Sequence, residues 1–443
     1  MAPCRNEVRP CLLLAAAVAL AHANGLAGVF QFDDYKVIVA NPVVHGWHGW
    51  LADLGHGIRP LLKLSYLLNW LSGAGTPGFH AANLLIHFGN ALLLFRLARR
   101  FLTPGLDRSA ADRIALFAAL LFAVHPVHTE AVTYICGRSS SLMTLFYLAG
   151  LLVHLESGEG NPGFRRGVLV PLAFLAAVAC KETAVTFPLA LLFWDVCEGR
   201  TLSQGIRRQL PTLLLAVAVT AAMVGHPAYR AMLVNSAGLH SLSTNLSTAV
   251  GAGSYLLRQW LWPVHLNIDP DLRPITTVGK VLPQMTVLAA LAVVSWLQRR
   301  QRPWLLLACG WAFLHLVPLH LLLPRQDIAN ERQLYLAGIG LFLAFAAETG
   351  RMPRRRWTIA AAGLLLTLTL LTALRNRDYG SEIALWESTA RLSPGKARVH
   401  NNLGYAYMLA ARTAEARREY EAALAIDPAF LLARDNLRAL ARP

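Results

Sequence analysis

Charge is scarce in this sequence. Asp, Glu, Lys and Arg make up only 15% of its 443 residues and 55% are hydrophobic, a balance that excludes an ordinary soluble domain and points to a polytopic membrane protein. Negative charge is scarcer still: 25 acidic residues face 41 basic ones, a formal net charge of +16. A nucleic-acid groove would gather that excess on one soluble face. Here it falls in short arginine stretches between apolar runs, the pattern of membrane topology. Cysteine is also sparse: Cys4, Cys11, Cys136, Cys180, Cys197 and Cys309 include no CxxC pair, so neither a disulfide framework nor a zinc site follows.

The apolar runs are long enough to span lipid. They fall near 11–30, 80–98, 113–133, 139–156, 167–181, 184–197, 209–226, 281–298, 303–323, 332–348 and 357–374, so the expected fold is all-α with about eleven transmembrane helices. Arg5, Arg9 and the Ala21-His22-Ala23 stretch resemble a cleavable leader, but the apolar run continues to Phe30 and favours an uncleaved first helix. Five basic clusters, around Arg99, Arg165, Arg207, Arg299 and Arg355, fall on one side of this arrangement. The positive-inside rule makes that side cytoplasmic together with the N-terminus, and eleven spans put the C-terminus outside. RPLLKLSYLLNW (59–70) and GSYLLRQWLWPVHL (253–266) would break the alternation if they crossed, and they read as amphipathic helices on the outer face. Trp260 and Trp262 in the second suit interface anchors or the wall of a polyprenyl groove.

The polar residues then collect at the outer boundary. Asp33 and Asp34 follow the first apolar run directly, and neighbouring carboxylates that repel one another favour a bound cation or a proton donor. One of them suits a general base; the bland alternative is a solvated loop. On the same face lie Arg59, Arg138, Lys181 with Glu182, and Glu331 with Arg332, so several cations could meet one lipid phosphate. Ion pairing and snorkelling are the structural alternatives. His125 and His128, three apart and followed by Glu130, could reach a metal from one helix face. Pro126 between them and the lack of a third strong ligand favour hydrogen-bonding or helix-ending roles, and no metal is assigned.

Beyond Arg377 the sequence becomes water-compatible and repeats with a 34-residue offset: Trp386 with Tyr420, Pro394 with Pro428, Asn402 with Asn436, Leu403 with Leu437. That period belongs to tetratricopeptide helix pairs. The expected division is a membrane domain over 1–375 and a repeat region over 376–443 on the extracytoplasmic side, serving as a structural cap or as a docking surface for a protein or peptide.

Taken in order, FDDYKVIVAN (32–41), RPLLKLSYLLN (59–69), GFHAANLLIH (78–87), HPVHTEAVTYICGR (125–138), CKETAVTFPLALLFWD (180–195), LLRQWLWPVHLNID (256–269), NERQLYLAGIG (330–340) and the repeat resemble the transmembrane and tetratricopeptide-repeat-containing proteins, relatives of the protein O-mannosyltransferases with the GT-C glycosyltransferase fold. The resemblance implies an inverting transfer of a monosaccharide, mannose in the family, from a polyprenyl- or dolichyl-phosphate sugar to Ser or Thr hydroxyls of extracytoplasmic proteins. It implies Asp33 or Asp34 as catalytic base, Arg138, Arg332, Lys181 and Arg59 as candidates for the donor phosphate, and His125, His128, Glu130, Glu182 and Glu331 in support. The lipid-linked sugar, a polyprenyl-phosphate mannose, is the implied donor, with no cofactor certain and a divalent metal possible but not indicated. The Ala-, Leu- and Arg-rich composition suggests a bacterial inner membrane. The alternatives are a GT-C transferase or ligase acting on lipid or glycan, and a transporter or scaffold with a repeat docking module.

Overall fold

The structure is a computed structural model that describes residues 7–156, 161–237, 240–322 and 327–440. Cys4 and Arg5 lie outside the described residues. Among those described, the chain is 81% helical without strands. That is the solution open to long apolar runs, because a helix satisfies its own backbone groups where water is absent.

Among the described residues five helices are long and apolar enough to cross a membrane: Val8–Ala27, Gly75–Leu102, Ile135–Leu155, Val278–Leu297 and Arg354–Gly380. Two bent pairs raise the number to seven if each counts as one span: Arg108–Val124 with Pro126–Val132, bent by 54°, and Leu202–Arg208 with Leu210–Gly225, bent by 73°. Two shorter apolar helices, Pro303–Val317 and Ile339–Thr349, fall within further apolar runs. The run near 167–181 lies in a helix that passes through a π-helical turn, Arg165–Leu169, before Val170–Val178, and the run near 184–197 opens with a 3₁₀ turn, Glu182–Thr186, before Phe187–Cys197. The stretch at 59–70 forms the 12-residue helix Pro60–Leu71, too short to span.

We label the helices that frame the site α1 (Val8–His22), α2 (Gly75–Leu102), α3 (Arg108–Val124), α4 (Arg138–Leu155), α5 (Leu242–Leu261), α6 (Ile339–Thr349) and α7 (Arg354–Asn376). Four more follow at the C-terminal end: α8 (Glu382–Leu392), α9 (Ala397–Leu409), α10 (Thr413–Ile426) and α11 (Leu431–Leu440). Helix α4 is the centre of the bundle, with 83% of its apolar window buried, whereas Val278–Leu297 has 11% buried and belongs to the periphery. Alanines at 91, 98, 111, 115, 118 and 119 are fully or almost fully buried, which lets α2 and α3 approach closely. The aromatic filling comes from Phe122, Tyr147, Trp194, Trp311 and Phe342.

Pro126 lacks an N–H and stops α3 at Val124, which frees carbonyls inside the bundle. Polar side chains from neighbouring helices meet them: His87 Nε2 reaches Ala123 O at 3.1 Å and Thr372 Oγ1 donates to Val124 O at 2.7 Å. Asn83 Nδ2 donates to Val132 O at 3.0 Å beyond the break. Asn83, His87 and Asn90 stand four and three residues apart, so they share one face of α2, and that polar stripe is the scaffold on which the broken segment rests.

The break lets the chain double back between 125 and 138. Gly137 sits where the fold returns on itself, and a Cβ there would lie 2.1 Å from Glu130 O and 2.9 Å from Ala131 Cα. Both are backbone atoms, which cannot swing aside. Gly137→Ala is expected to destabilise the detergent-solubilised protein by about 1–3 kcal/mol, seen as a lower thermal midpoint; an unchanged midpoint would mean that the turn relaxes freely.

Candidate active site

Three connecting segments meet at one end of the bundle: 28–34 after α1, 125–138 between α3 and α4, and 327–333 before α6. Hydrogen bonds stitch the first two together. Asp34 is buried and accepts from Gln31 N through Oδ2 at 3.0 Å and from Cys136 N through Oδ1 at 2.9 Å. The next peptide is held as well, because Asp33 N donates to Tyr134 Oη at 3.1 Å.

The adjacent aspartates therefore have different surroundings. Asp34 faces inward with both oxygens occupied, and burial pushes its carboxyl up to about 7 although two N–H groups work against the shift. Asp33 lines a small cleft and carries no ion pair among the described residues. Opposite it, Glu130 is buried and pairs with Arg332 twice: Oε1 lies 3.3 Å from Nε, and Oε2 accepts from the backbone N–H at 2.9 Å. That geometry holds Arg332 against the cleft with its side chain 22% exposed.

The C-terminal helices supply the remaining wall. Trp386 of α8 and Arg398 of α9 line the cleft. Arg398 pairs with Asp269, Nε to Oδ2 at 2.8 Å, and with Asp327, while Lys396 Nζ donates to Asp269 Oδ1 at 2.6 Å. Asp269 and Asp327 also line the cleft. Of its four carboxylates, Glu130, Asp269 and Asp327 are thus paired with cations, whereas Asp33 has no cation partner among the described residues.

The other residues singled out in the sequence are placed elsewhere. Arg138 does not reach the cleft; its guanidinium donates to Asn83 Oδ1 at 2.6 Å, Ser65 O at 3.1 Å and Phe79 O at 2.8 Å, and it lies over the rings of Tyr66 and Phe79. Arg59 and Glu182 form a two-pronged pair at 2.8 and 2.9 Å, in which burial would raise the Glu182 carboxyl but the guanidinium holds it at about 2. Lys181 Nζ donates to Ser140 Oγ at 2.7 Å. Glu331 is buried and accepts from the backbone N–H of Asn267.

His125 caps the turn that follows α3, accepting from Val127 N at 3.3 Å, and its Nε2 lies 3.0 Å from Trp260 O. Trp260 is accordingly buried, whereas Trp262 is 65% exposed, so only the second suits the interface. His128 packs among Phe122, Tyr335 and Phe342, away from the cleft. No group of three or more His, Cys, Asp or Glu that could hold a metal occurs among the described residues.

A larger hollow of about 210 Å³, open to solvent, lies on the other side of the 267–271 segment and is walled by Tyr255, Arg258, Trp262 and Leu392. The sequence had not singled out Tyr134, Asp327 or Arg398, nor Trp386 as part of a site. The signal for the last two was hidden, because the 34-residue period assigns α8 and α9 to a repeat and says nothing of what the repeat touches.

A polytopic all-α membrane protein with a cleft lined by carboxylates and arginines at one end of its bundle is the class that this geometry defines. No family model and no solved structure matches the chain. Curated relatives do. A protein O-mannosyl-transferase of Caenorhabditis elegans is 27% identical over 96% of this chain and 63% of its own length. The Homo sapiens protein O-mannosyl-transferase TMTC4 is 26% identical over 89% of this chain and 63% of its own. The Drosophila melanogaster protein O-mannosyl-transferase Tmtc2 reaches 36%, over 43% of this chain and 22% of its own. The chain thus spans less than two thirds of the length of these relatives. Over most of its own length the chain is thus similar to the TMTC protein O-mannosyl-transferases.

The Asp34 environment has a measurable consequence. A carboxyl raised from 3.8 to about 7 stabilises the fold while protonated, and that contribution is lost as pH rises through about 7. The thermal midpoint of the native protein is expected to fall between about pH 5 and pH 8, with a smaller fall in Asp34→Asn measured over the same range. Equal slopes would show that Asp34 is ionised throughout.

Proposed function

We propose that the protein transfers a mannosyl group from a polyprenyl-phosphate donor to Ser or Thr hydroxyls of proteins, with inversion at the anomeric carbon. The observation that carries this reading is the unpaired Asp33 carboxylate facing Arg332 across the cleft, in a chain whose relatives are named protein O-mannosyl-transferases. Asp33 rather than Asp34 is the base, because Asp34 has both oxygens engaged by backbone N–H groups.

In this mechanism the Asp33 carboxylate takes the proton of the acceptor hydroxyl as its oxygen forms a bond to the anomeric carbon. The bond from that carbon to the phosphate oxygen breaks, and the lipid phosphate leaves with the electron pair. Arg332 is the cation best placed to stabilise the departing charge, with Arg398 beside it. Glu130 keeps the Arg332 guanidinium oriented. Arg138, Arg59 and Lys181 support the scaffold instead. One carboxylate suffices because phosphate is already a good leaving group. The hollow beside Arg258 and Trp262 is where the donor's lipid phosphate approaches.

The chain divides into a membrane domain over 1–375 and a tetratricopeptide-type region over 376–443, whose helices close the acceptor side of the cleft. Support for the repeat comes from the tight pairing of α9 and α10, where Gly404 leaves room for the Tyr420 ring at 2.7 Å from the position of a Cβ. The N-terminus is cytoplasmic, and the cleft and repeat lie outside, in the periplasm of a bacterial inner membrane.

With purified protein, polyprenyl-phosphate [³H]mannose and a Ser/Thr-containing acceptor, Asp33→Asn is expected to lower transfer by about 10²- to 10⁴-fold while donor binding persists. Arg332→Ala should lose donor binding and also lower the thermal midpoint, since it leaves Glu130 buried and unpaired. Full activity of Asp33→Asn would remove Asp33 from the reaction.

A further inference from the structure

Phe32, directly before Asp33, has φ +47, a left-handed conformation that bulky residues avoid. Something must hold it there. Its N–H donates to Glu382 Oε1 at 2.9 Å, and its ring meets that of Trp386 edge to face, with centroids 5.2 Å apart and planes at 79°. Glu382 and Trp386 stand four residues apart and so share one face of α8, where one clamps the peptide and the other the ring.

The grip extends to either side. Gln31 Nε2 donates to Tyr379 O at 2.7 Å, just before α8 begins. Asp33 N is fixed on Tyr134 at 3.1 Å. The clamp helix is itself anchored along its length: Ser388 Oγ donates to Asp378 Oδ2 at 3.1 Å, and Asp378 accepts from Arg375 at 2.6 Å. Just past its C-terminus Ser393 Oγ donates to Asp269 O at 3.0 Å, beside the Lys396 and Arg398 pairs. A strained residue held from several sides beside a functional group is a device for fixing direction.

We propose that helix α8 is a positioning element of the transferase: Glu382 and Trp386 hold Phe32 in its left-handed conformation and thereby direct the Asp33 carboxylate into the cleft. This inference rests on the reading of Asp33 as the base. The C-terminal helices are then a working part of the site as well as a platform, and whatever displaces α8 releases the base from its aim.

The test uses the full chain in nanodiscs and two readouts, mannosyl transfer and amide hydrogen exchange of the 30–35 segment. Glu382→Ala is expected to lower kcat by about 10- to 100-fold with little change in donor KM, as a misdirected base requires. Glu382→Gln keeps an acceptor oxygen and should restore most of the rate. Because glycine adopts positive φ without strain, adding Phe32→Gly to Glu382→Ala should recover at least about fivefold of the lost rate. Hydrogen exchange at Phe32 and Asp33 should quicken in Glu382→Ala and not in Glu382→Gln.

Wild-type kinetics and unchanged exchange in Glu382→Ala would overturn the clamp, as would a rate loss that Phe32→Gly cannot recover with exchange unaltered. If the unmutated protein transfers no mannose, exchange alone decides: quickening in Glu382→Ala supports the clamp while the transferase reading fails, and no quickening removes both.

Discussion

The pairing of Glu130 with Arg332 is the contact on which the cleft depends. Each residue belongs to a different connecting segment, and each would be costly to bury alone. Together they tie the doubled-back 125–138 segment to the 327–333 segment through a side-chain contact and a backbone hydrogen bond at once. Asp33 is brought to the same place indirectly, through Tyr134 and Cys136 of that doubled-back segment. The cleft is therefore only as well defined as the break at Pro126, which in turn rests on the polar stripe of α2. A proline, three polar side chains of one helix and one half-buried ion pair form a chain of dependence from sequence to site.

The architecture was legible where composition leaves few choices. Long apolar runs without charge must become helices in lipid, and those near 80–98, 139–156 and 357–374 emerge as the long helices Gly75–Leu102, Ile135–Leu155 and Arg354–Gly380. Breaks within runs were harder to see. Hydropathy does not register that Glu182–Thr186 winds as a 3₁₀ turn, because the turn is set by what Lys181 and Glu182 contact in space.

The site was legible as a set of segments and not as a set of side chains. FDDY, HPVHTE and NERQLY do meet, as polar interruptions at one end of the bundle suggested. Which member of each segment faces the cleft depends on the local backbone. Asp33 and Asp34 are successive residues of a helical turn and so point in different directions, and the fold of 125–138 turns Glu130 toward Arg332 and Arg138 toward Asn83. A lone arginine after an apolar stretch looks the same whether it awaits a phosphate or secures three carbonyl and amide oxygens.

The 73° bend between Leu202–Arg208 and Leu210–Gly225 bears on how the protein sits in its membrane. If the second helix crosses, the first runs nearly along the surface, with Leu202 and Ile206 exposed beside Arg207 and Arg208. Such a helix acts like the keel line of a hull: apolar side chains sink, guanidinium groups stay at the headgroups, and rotation out of that plane is opposed from both sides. Immersion depth is thereby set at the end of the bundle that carries the arginines. Because the central helices are rigidly packed, the cleft at the far end inherits a fixed height above the opposite lipid surface. Any group confined to that surface would then meet the protein at one level only.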